Sequence, residues 1–383
     1  MTREALRILH QKLNFVGNVV RDYDSSYAKS GAKIGDSLKI RLPNEYVVRS
    51  GPTLSAQDTV ETSTTLQVNN QKGVDLNFTS ADLTLSLDDF SARILEPAMS
   101  VLAANIEADA FNMTKDVYNV VNNIGSAITL KQVLNARKLL VDNLAPQDNN
   151  NHVILNTQDN VDLVDGLKGL FNDTATISKQ YKEGMMGRTG GFNFYENTLL
   201  GTHTTGTAVA TYLVNGASQT GSGLVVDTGT TTFKQGDVIT IAGVNRVHPE
   251  TKADTGSLQQ FVVTADKAGG AGTLEISPAI VITGGRQNVT GSPADNAVIT
   301  KVGGASAVYK PSLAFHKNAF AFATADLVMP EGVDFARRES QDGLSIRMVR
   351  AYDINNDRFP CRLDILYGYK TLRAQLAARI LSN

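Results

Sequence analysis

A mixed α+β fold carrying a small antiparallel β-barrel as an insert is predicted by three features of the sequence. Residues 204–309 are crowded with Gly, Thr, Val and Ala and poor in helix formers, while the flanking parts carry Leu, Arg, Asp and Glu at helical spacing. Within that insert ATYLVN, GLVVDT, DVITIAGV, FVVTAD, TLEISP and AVITKV, separated by Gly, Asp and Lys turns, supply about six short strands with no helix between them. The length of 383 residues, with 42% hydrophobic content, is enough for two or more cores.

At the N-terminus Leu6, Leu9, Leu13 and Val16 form a one-faced helical stripe that needs a partner, expected for an N-terminal arm to be another subunit. A charge at Leu9 would then spare folding of the monomer and impair assembly. LKIRLPNEYVV and VDLNFTSADLTLSL alternate apolar and polar residues, which predicts half-buried strands over 37–48 and 74–87. Residues 49–73 between them are polar, Thr-rich and nearly free of large apolar groups. Such a stretch gains too little burial to order itself, so a neighbouring subunit is expected to order it.

Ser86, with Asp89 three residues on, reads as a helix start. Phe90, Ile94, Ala98, Leu102, Ile106, Ala110, Met113, Val117 and Val120 follow at helical spacing. A continuous helix over 87–121 would be roughly 50 Å long at about 1.5 Å per residue, with a kink or a late start at Pro97. Residues 129–143 predict a second helix opened by Thr129; HVILN is a strand, and Thr157 or Asp159 caps a further helix through Leu170. Gly184, Gly187, Gly190 and Gly191 lead into Phe192, Phe194 and Tyr195, a tight loop feeding an aromatic strand. The phosphate-loop order of glycines followed by Lys and Ser or Thr is missing there. After the insert, LSIRMVRAY and RFPCRLDILY flank the turn DINND, and Leu372, Leu376 and Ile380 predict a closing helix.

Catalytic and metal chemistry find little support. The five histidines, His10, His152, His203, His248 and His316, form no HxH or HExxH pair. His203, at the boundary of the insert, reads as a hinge or solvent-facing residue, and Cys361 as a small hydrophobe on an apolar strand face. Asp353, Asn355 and Asp357 imitate a calcium loop, but Arg358 stands where glycine is needed, so an Asx-rich turn is the better account. No catalytic residue, cofactor or metal is therefore assigned. A net charge of −2 advertises no tight binding to phosphate backbones. Arg337, Arg338, Arg347, Arg350, Arg358 and Arg362 have acidic neighbours, and ion pairs between strands or subunits are expected of them before nucleic-acid contact. A single cysteine fits a reducing cytoplasm, and no run of about 18 apolar residues exists to span a membrane.

The segments VVRDYDSSYAKSGAKIGDSLKIRLP (19–43), LSLDDFSARILEPAMSVLAANIEAD (85–109), YKEGMMGRTGGFNFYEN (181–197), FKQGDVITIAGV (233–244) and RFPCRLDILYGYKTLRAQLAARI (358–380) together resemble the Hong Kong 97-type major capsid fold. More narrowly, they are similar to the coat proteins of short-tailed enterobacterial phages, which carry an inserted β-barrel domain. The resemblance implies an N-terminal arm (1–34), an extended-loop hairpin (35–85) and a peripheral domain with a long spine helix (86–127). It further implies an axial domain begun by 128–203, the inserted barrel (204–309), and return strands with a C-terminal helix (310–383).

The resemblance also implies an icosahedral virion shell enclosing the phage genome, built from hexamers and pentamers of this chain and assembled in the host cytoplasm. A separate scaffolding protein, because the chain starts at the arm, and a portal protein are the expected partners, with only weak contact to packaged double-stranded DNA and none to membrane. Candidate intersubunit contacts are Leu6, Leu9, Leu13, Arg41, Tyr46 and Arg49. Two rivals remain open: a nanocompartment shell of the same fold, and an α/β enzyme with a β-barrel domain.

Overall fold

The computed structural model describes residues 2–21, 37–49, 51–54, 56–58, 61–79, 91–167, 187–210, 212–356 and 358–382. The chain divides into two compact units. The first comprises Met1–Leu42, Ser63–Phe111 and Phe320–Leu372, and the second Pro43–Thr62, Asn112–Ala319 and Arg373–Asn383.

The first unit is built on one long strand, β20 (Arg358–Thr371). It pairs antiparallel with β3 (Asn70–Thr79) along residues 358–367, with β19 (Leu344–Arg350) along 361–364, and with β17 (Phe320–Ala325) along 366–371. β18 (Phe335–Gln341) pairs with β19. Cys361, Leu363, Ile365 and Tyr367 are buried on the face their alternation predicts. Leu366 is buried on the opposite face, in a cluster with Ile40 and Leu66 of the ribbon β1 (Ser37–Arg41) and β2 (Ser63–Gln67).

Asp364 sits in the middle of this strand with its carboxylate buried. Arg347 Nη2 donates to its Oδ2 at 2.6 Å across the β19–β20 pair, and Arg362 Nε donates to the same oxygen at 2.8 Å. On the β3 side its partner in register is Gly73, where a Cβ would lie 2.5 Å from Asp364 Oδ1 and 2.6 Å from Leu363 O. Only glycine leaves room for that carboxylate.

The polar stretch 49–73 is thus partly strand. β2 and the start of β3 order much of it within the same chain, because backbone ladders with β1 and β20 replace the side-chain burial it lacks.

The N-terminal stripe also closes on its own chain. α1 (Thr2–Lys12) packs on β18, on β19 and on α2 (Glu96–Ala110). Leu6, Leu9 and Leu13 are buried there, with Leu9 at 0% exposure. Phe15 stacks on Phe111 at 4.7 Å between ring centroids, and its backbone N–H donates to Glu107 Oε1 at 2.6 Å. Within one chain, a helix and a sheet edge of the same unit thus cover the apolar stripe that was expected to wait for a second subunit.

α2 is shorter than the spacing predicts. Its α-helical part spans 15 residues, about 22 Å, with Pro97 in its first turn, and a π-helical stretch over Ser91–Leu95 runs directly into it, so the helix is not delayed to Pro97. The residues before 91, including Ser86 and Asp89, lie outside those described. At the other end the chain tightens into a 3₁₀ segment (Phe111–Asp116) and then enters a strand, β4 (Val120–Asn122). Val117, Val120 and Val121 fit helical spacing, but β-branched residues buried in a sheet prefer the extended form.

The second unit contains a six-stranded mixed sheet in the order β4, β21 (Ala377–Leu381), β16 (Ser312–His316), β5 (Asn151–Leu155), β7 (Phe192–Glu196) and β6 (Arg188–Thr189). Helix α3 (Leu130–Asp142), opened by a Thr129–Gln132 capping box, packs against β4, β16 and β21. Between β6 and β7 the two-residue turn Gly190–Gly191 has φ of +59° and +86°, the left-handed pair that glycine adopts without strain. α4 (Thr157–Leu167) is capped by Asn156, whose Oδ1 accepts the Asp159 N–H at 2.8 Å, rather than by Thr157 or Asp159.

No closing helix is present: Ala374–Leu376 is one 3₁₀ turn and the residues after it form β21. Positions 372, 376 and 380 share a face in a strand as well as in a helix, and a strand flanked on both sides by partners buries all five of its residues.

The insert is a closed barrel in the order β10 (Gly221–Asp227), β13 (Gly272–Ile280), β12 (Asp254–Val263), β11 (Val238–Val247), β14 (Val298–Lys301) and β9 (Tyr212–Val214). All its neighbours are antiparallel, and the six strands are those the sequence predicts. Tyr212, Leu224, Val226, Phe233, Ile239, Ile241, Phe261, Leu274 and Ile299 fill it. A two-stranded neck of β8 (His203–Thr204) and β15 (Val308–Tyr309) carries the chain into and out of it.

With Leu9 inside its own unit, Leu9→Ala is expected to lower the unfolding free energy by about 3 kcal/mol, and Leu9→Asp by more because it buries an unpaired charge. Urea unfolding of the soluble chain checks this; an unchanged midpoint would return the helix to the role of a free arm.

Candidate assembly surface

Of the residues singled out as contacts, three are enclosed within their own unit and three lie at the surface. Leu6, Leu9 and Leu13 are enclosed as described. Arg41, at the end of β1, is exposed. Tyr46 and Arg49 lie on an irregular segment of the second unit that starts at Pro43. There Arg49 Nη1 donates to Gly51 O and to Thr53 O, and Gln57 closes a loop by accepting the Val47 N–H at 2.9 Å.

The segment holds its shape without burying its apolar side chains: Tyr46 is 56% exposed, Val48 89% and Leu54 82%. It rests on the insert by backbone, since a Cβ at Gly285 would lie 2.5 Å from Glu45 O. Arg286 Nη2 also donates to Thr62 Oγ1 at 2.5 Å. Part of what was expected to need a neighbour is thus ordered by the chain's own insert, yet its apolar groups stay open.

Two polar contacts tie the insert to the sheet beside it. At the neck, Asp237, at 0% exposure, accepts from His203 Nε2, Gly206 N and Lys234 N, each at 2.9 Å. Next to it Arg379 of β21 is buried and donates to Gly236 O at 2.9 Å; burial pushes its guanidinium below its ordinary value. Further along, Arg246 Nη2 of β11 reaches Asp142 Oδ2 of α3 at 2.9 Å, and Lys138 Nζ shares that oxygen at 3.0 Å.

The sequence carried little sign of this. Gln235-Gly236-Asp237 has the composition of a solvated turn, and Arg379 lies in a segment that reads as a helix.

The comparison with known families decides what such a chain is. Residues 10–379 match the family described as P22 coat protein, gene protein 5. The chain belongs to the P22 coat protein family. Among solved structures, Mycobacterium phage Che8 is similar over 96% of this chain and 90% of that one, at 14% identity and a TM-score of 0.49. The CUS-3 coat protein I-domain is 30% identical over 24% of this chain and 96% of its own length, with a TM-score of 0.20. A virus-like particle from Pyrococcus furiosus covers 99% of this chain and 96% of its own at 7% identity, TM-score 0.41. No curated protein sequence matches the chain.

As a member of the P22 coat protein family, the chain is a major capsid protein, a structural component of the phage virion with the α+β capsid fold and an inserted barrel. Its titratable groups are placed accordingly. His203 and His316 each face one carboxylate, Asp237 and Asp148, and burial lowers the pKa of His316 despite that partner. Burial lowers His152 to about 4 and pushes the Cys361 thiol up to about 11, which makes that sulfur a poor nucleophile. Asp353 accepts from Asn355 N and Asn356 Nδ2, the Asx turn its sequence suggests. Among the described residues no cluster of His, Cys, Asp or Glu has metal-binding geometry, and no helix is long and apolar enough to cross a membrane.

Burial would raise the Asp142 carboxyl, but hydrogen bonds from Lys138 and Arg246 outweigh it and hold it below the ordinary value. The contact therefore stabilises fully above the unfolded carboxyl value of 3.8 and fades as pH falls through the lower folded value. Arg246→Ala is expected to cost about 1 kcal/mol at neutral pH, and the difference from the parent should shrink in melts near pH 3.

Proposed function

We propose that copies of this chain assemble as hexamers and pentamers into an icosahedral shell around double-stranded DNA, with the segment from Tyr46 to Leu54 as a principal contact. The observation that carries this is the exposure of Tyr46, Val48 and Leu54 on a segment whose backbone is already fixed by the insert. A preshaped strip of uncovered apolar side chains is what association would bury at low entropic cost. In this reading the hairpin 35–85 reaches an adjacent subunit, residues 128–203 and parts of 310–383 build an axial domain whose loops meet at capsomer centres, and the barrel lies on the outer side.

A separate scaffolding protein and a portal protein complete the particle, which forms in the host cytoplasm and performs no catalysis. Contact with DNA is weak, consistent with a net charge of −2 and with arginines already paired to carboxylates at Asp326, Glu339 and Asp364.

Expression of the chain with and without a scaffolding protein, followed by sedimentation and negative-stain microscopy, tests the reading. Uniform shells are expected only with scaffold; uniform, correctly sized shells from the chain alone would remove the scaffold, and a monomer that never forms particles would remove the shell. Tyr46→Ser and Val48→Ser should each raise the concentration needed for assembly about tenfold, the effect of losing roughly 1–2 kcal/mol per contact, with the unfolding midpoint unchanged.

A further inference from the structure

A cleft of about 440 Å³ in the first unit is lined by Thr2, Arg3, Phe335, Arg337, Met348 and Arg350. Three of these six residues carry guanidiniums and none is acidic. Elsewhere in this sheet arginines are matched: Arg338 to Asp326, and Arg347 and Arg362 to Asp364. Of the three in the cleft only Arg337 has a carboxylate among the described residues, Glu339. Arg350 is sandwiched between the rings of Phe335 and Phe359, at 5.7 and 5.2 Å from their centroids, and its Nε is buried without a hydrogen-bond partner. Arg3 is exposed and meets no carboxylate among the described residues. The charges of Arg3 and Arg350 thus border an opening whose other walls are the apolar Phe335 and Met348, Thr2 and the paired Arg337.

That combination suits a carboxylate on a chain with apolar neighbours better than a nucleic-acid backbone. A phosphodiester strand needs cations spread along a track, whereas here the flanking arginines are neutralised and the walls would strip water from a phosphate without replacing it. The chain itself carries a matching surface. Asp58 is exposed and pairs with no cation among the described residues, and Leu54 near it is 82% exposed.

We propose that the cleft receives this part of a second copy, with the Asp58 carboxylate between Arg3 and Arg350 and Leu54 against Met348 and Phe335. This rests on the shell reading above and names one polar contact within it. A charge pair stripped of water at an interface fixes register and excludes wrong neighbours more than it adds affinity.

The test is a charge exchange in the full-length chain, read as particle yield on a sucrose gradient with unfolding midpoints measured in parallel. Arg3→Glu and Asp58→Arg are each expected to lower particle yield about tenfold, and the double variant to restore it to within about twofold. Arg3→Gln and Asp58→Asn should lose less and should not rescue each other. Parent-like yield in either single reversal, or a double variant as defective as the singles, would overturn the proposal. So would a 20-base-pair DNA duplex that binds the parent but not Arg3→Glu while particles of Arg3→Glu form normally, since the cleft would then be a phosphate site. The parent chain on the same gradient reports the shell reading separately, because its particles form whether or not the exchange succeeds.

Discussion

A carboxylate buried in the longest strand sets the terms for the first unit. Asp364 has left water; Arg362 compensates it from the same strand, but Arg347 reaches it only if β19 lies in one register against β20. Gly73 imposes the same condition from the β3 side, since a shift by one residue would push a side chain into that carboxylate. With these registers held, the sheet offers α1 a fixed floor, and β1 and β2 can cross β20 at Leu366.

The second unit uses the same device at its narrowest point. A barrel tethered by two short strands would swing about them, because a two-stranded ribbon is marginal alone. Asp237 gathers donors from the neck and the barrel, and Arg379 reaches in from the neighbouring sheet to a carbonyl beside it. The Arg246–Asp142 contact adds a second point of attachment, and two points suppress rotation where one would not. The insert is therefore presented in a defined pose on the sheet that β21 completes.

For a shell protein, that rigidity has a use. Subunits that must meet several neighbours at once lose less entropy if their contact strips are already shaped. The segment from Tyr46 to Leu54, proposed above as a contact, is already shaped, held by hydrogen bonds to its own backbone and by the insert loop at Gly285. The N-terminal helix differs, since its apolar stripe is buried inside its own unit.

How far the sequence reached depended on which interaction was local. The six barrel strands, the Thr129 helix, the Gly190–Gly191 turn and the apolar face of β20 follow from alternation, capping and backbone preference, which act within a few residues. The α+β class with its inserted barrel was determined by these alone.

Three outcomes were decided only in three dimensions. The segment read as a closing helix ended as a 3₁₀ turn at Leu376 and a strand through Ile380, because spacing by four suits both periods and the edges of β4 and β16 chose between them. The stripe of α1 closed inward because a sheet edge happened to be free beside it, which no local pattern encodes. The burial of Asp237, Asp364 and Arg379 needed partners 17 to 143 residues away, and a charged residue carries no mark in sequence that separates a surface site from an interior one with such partners.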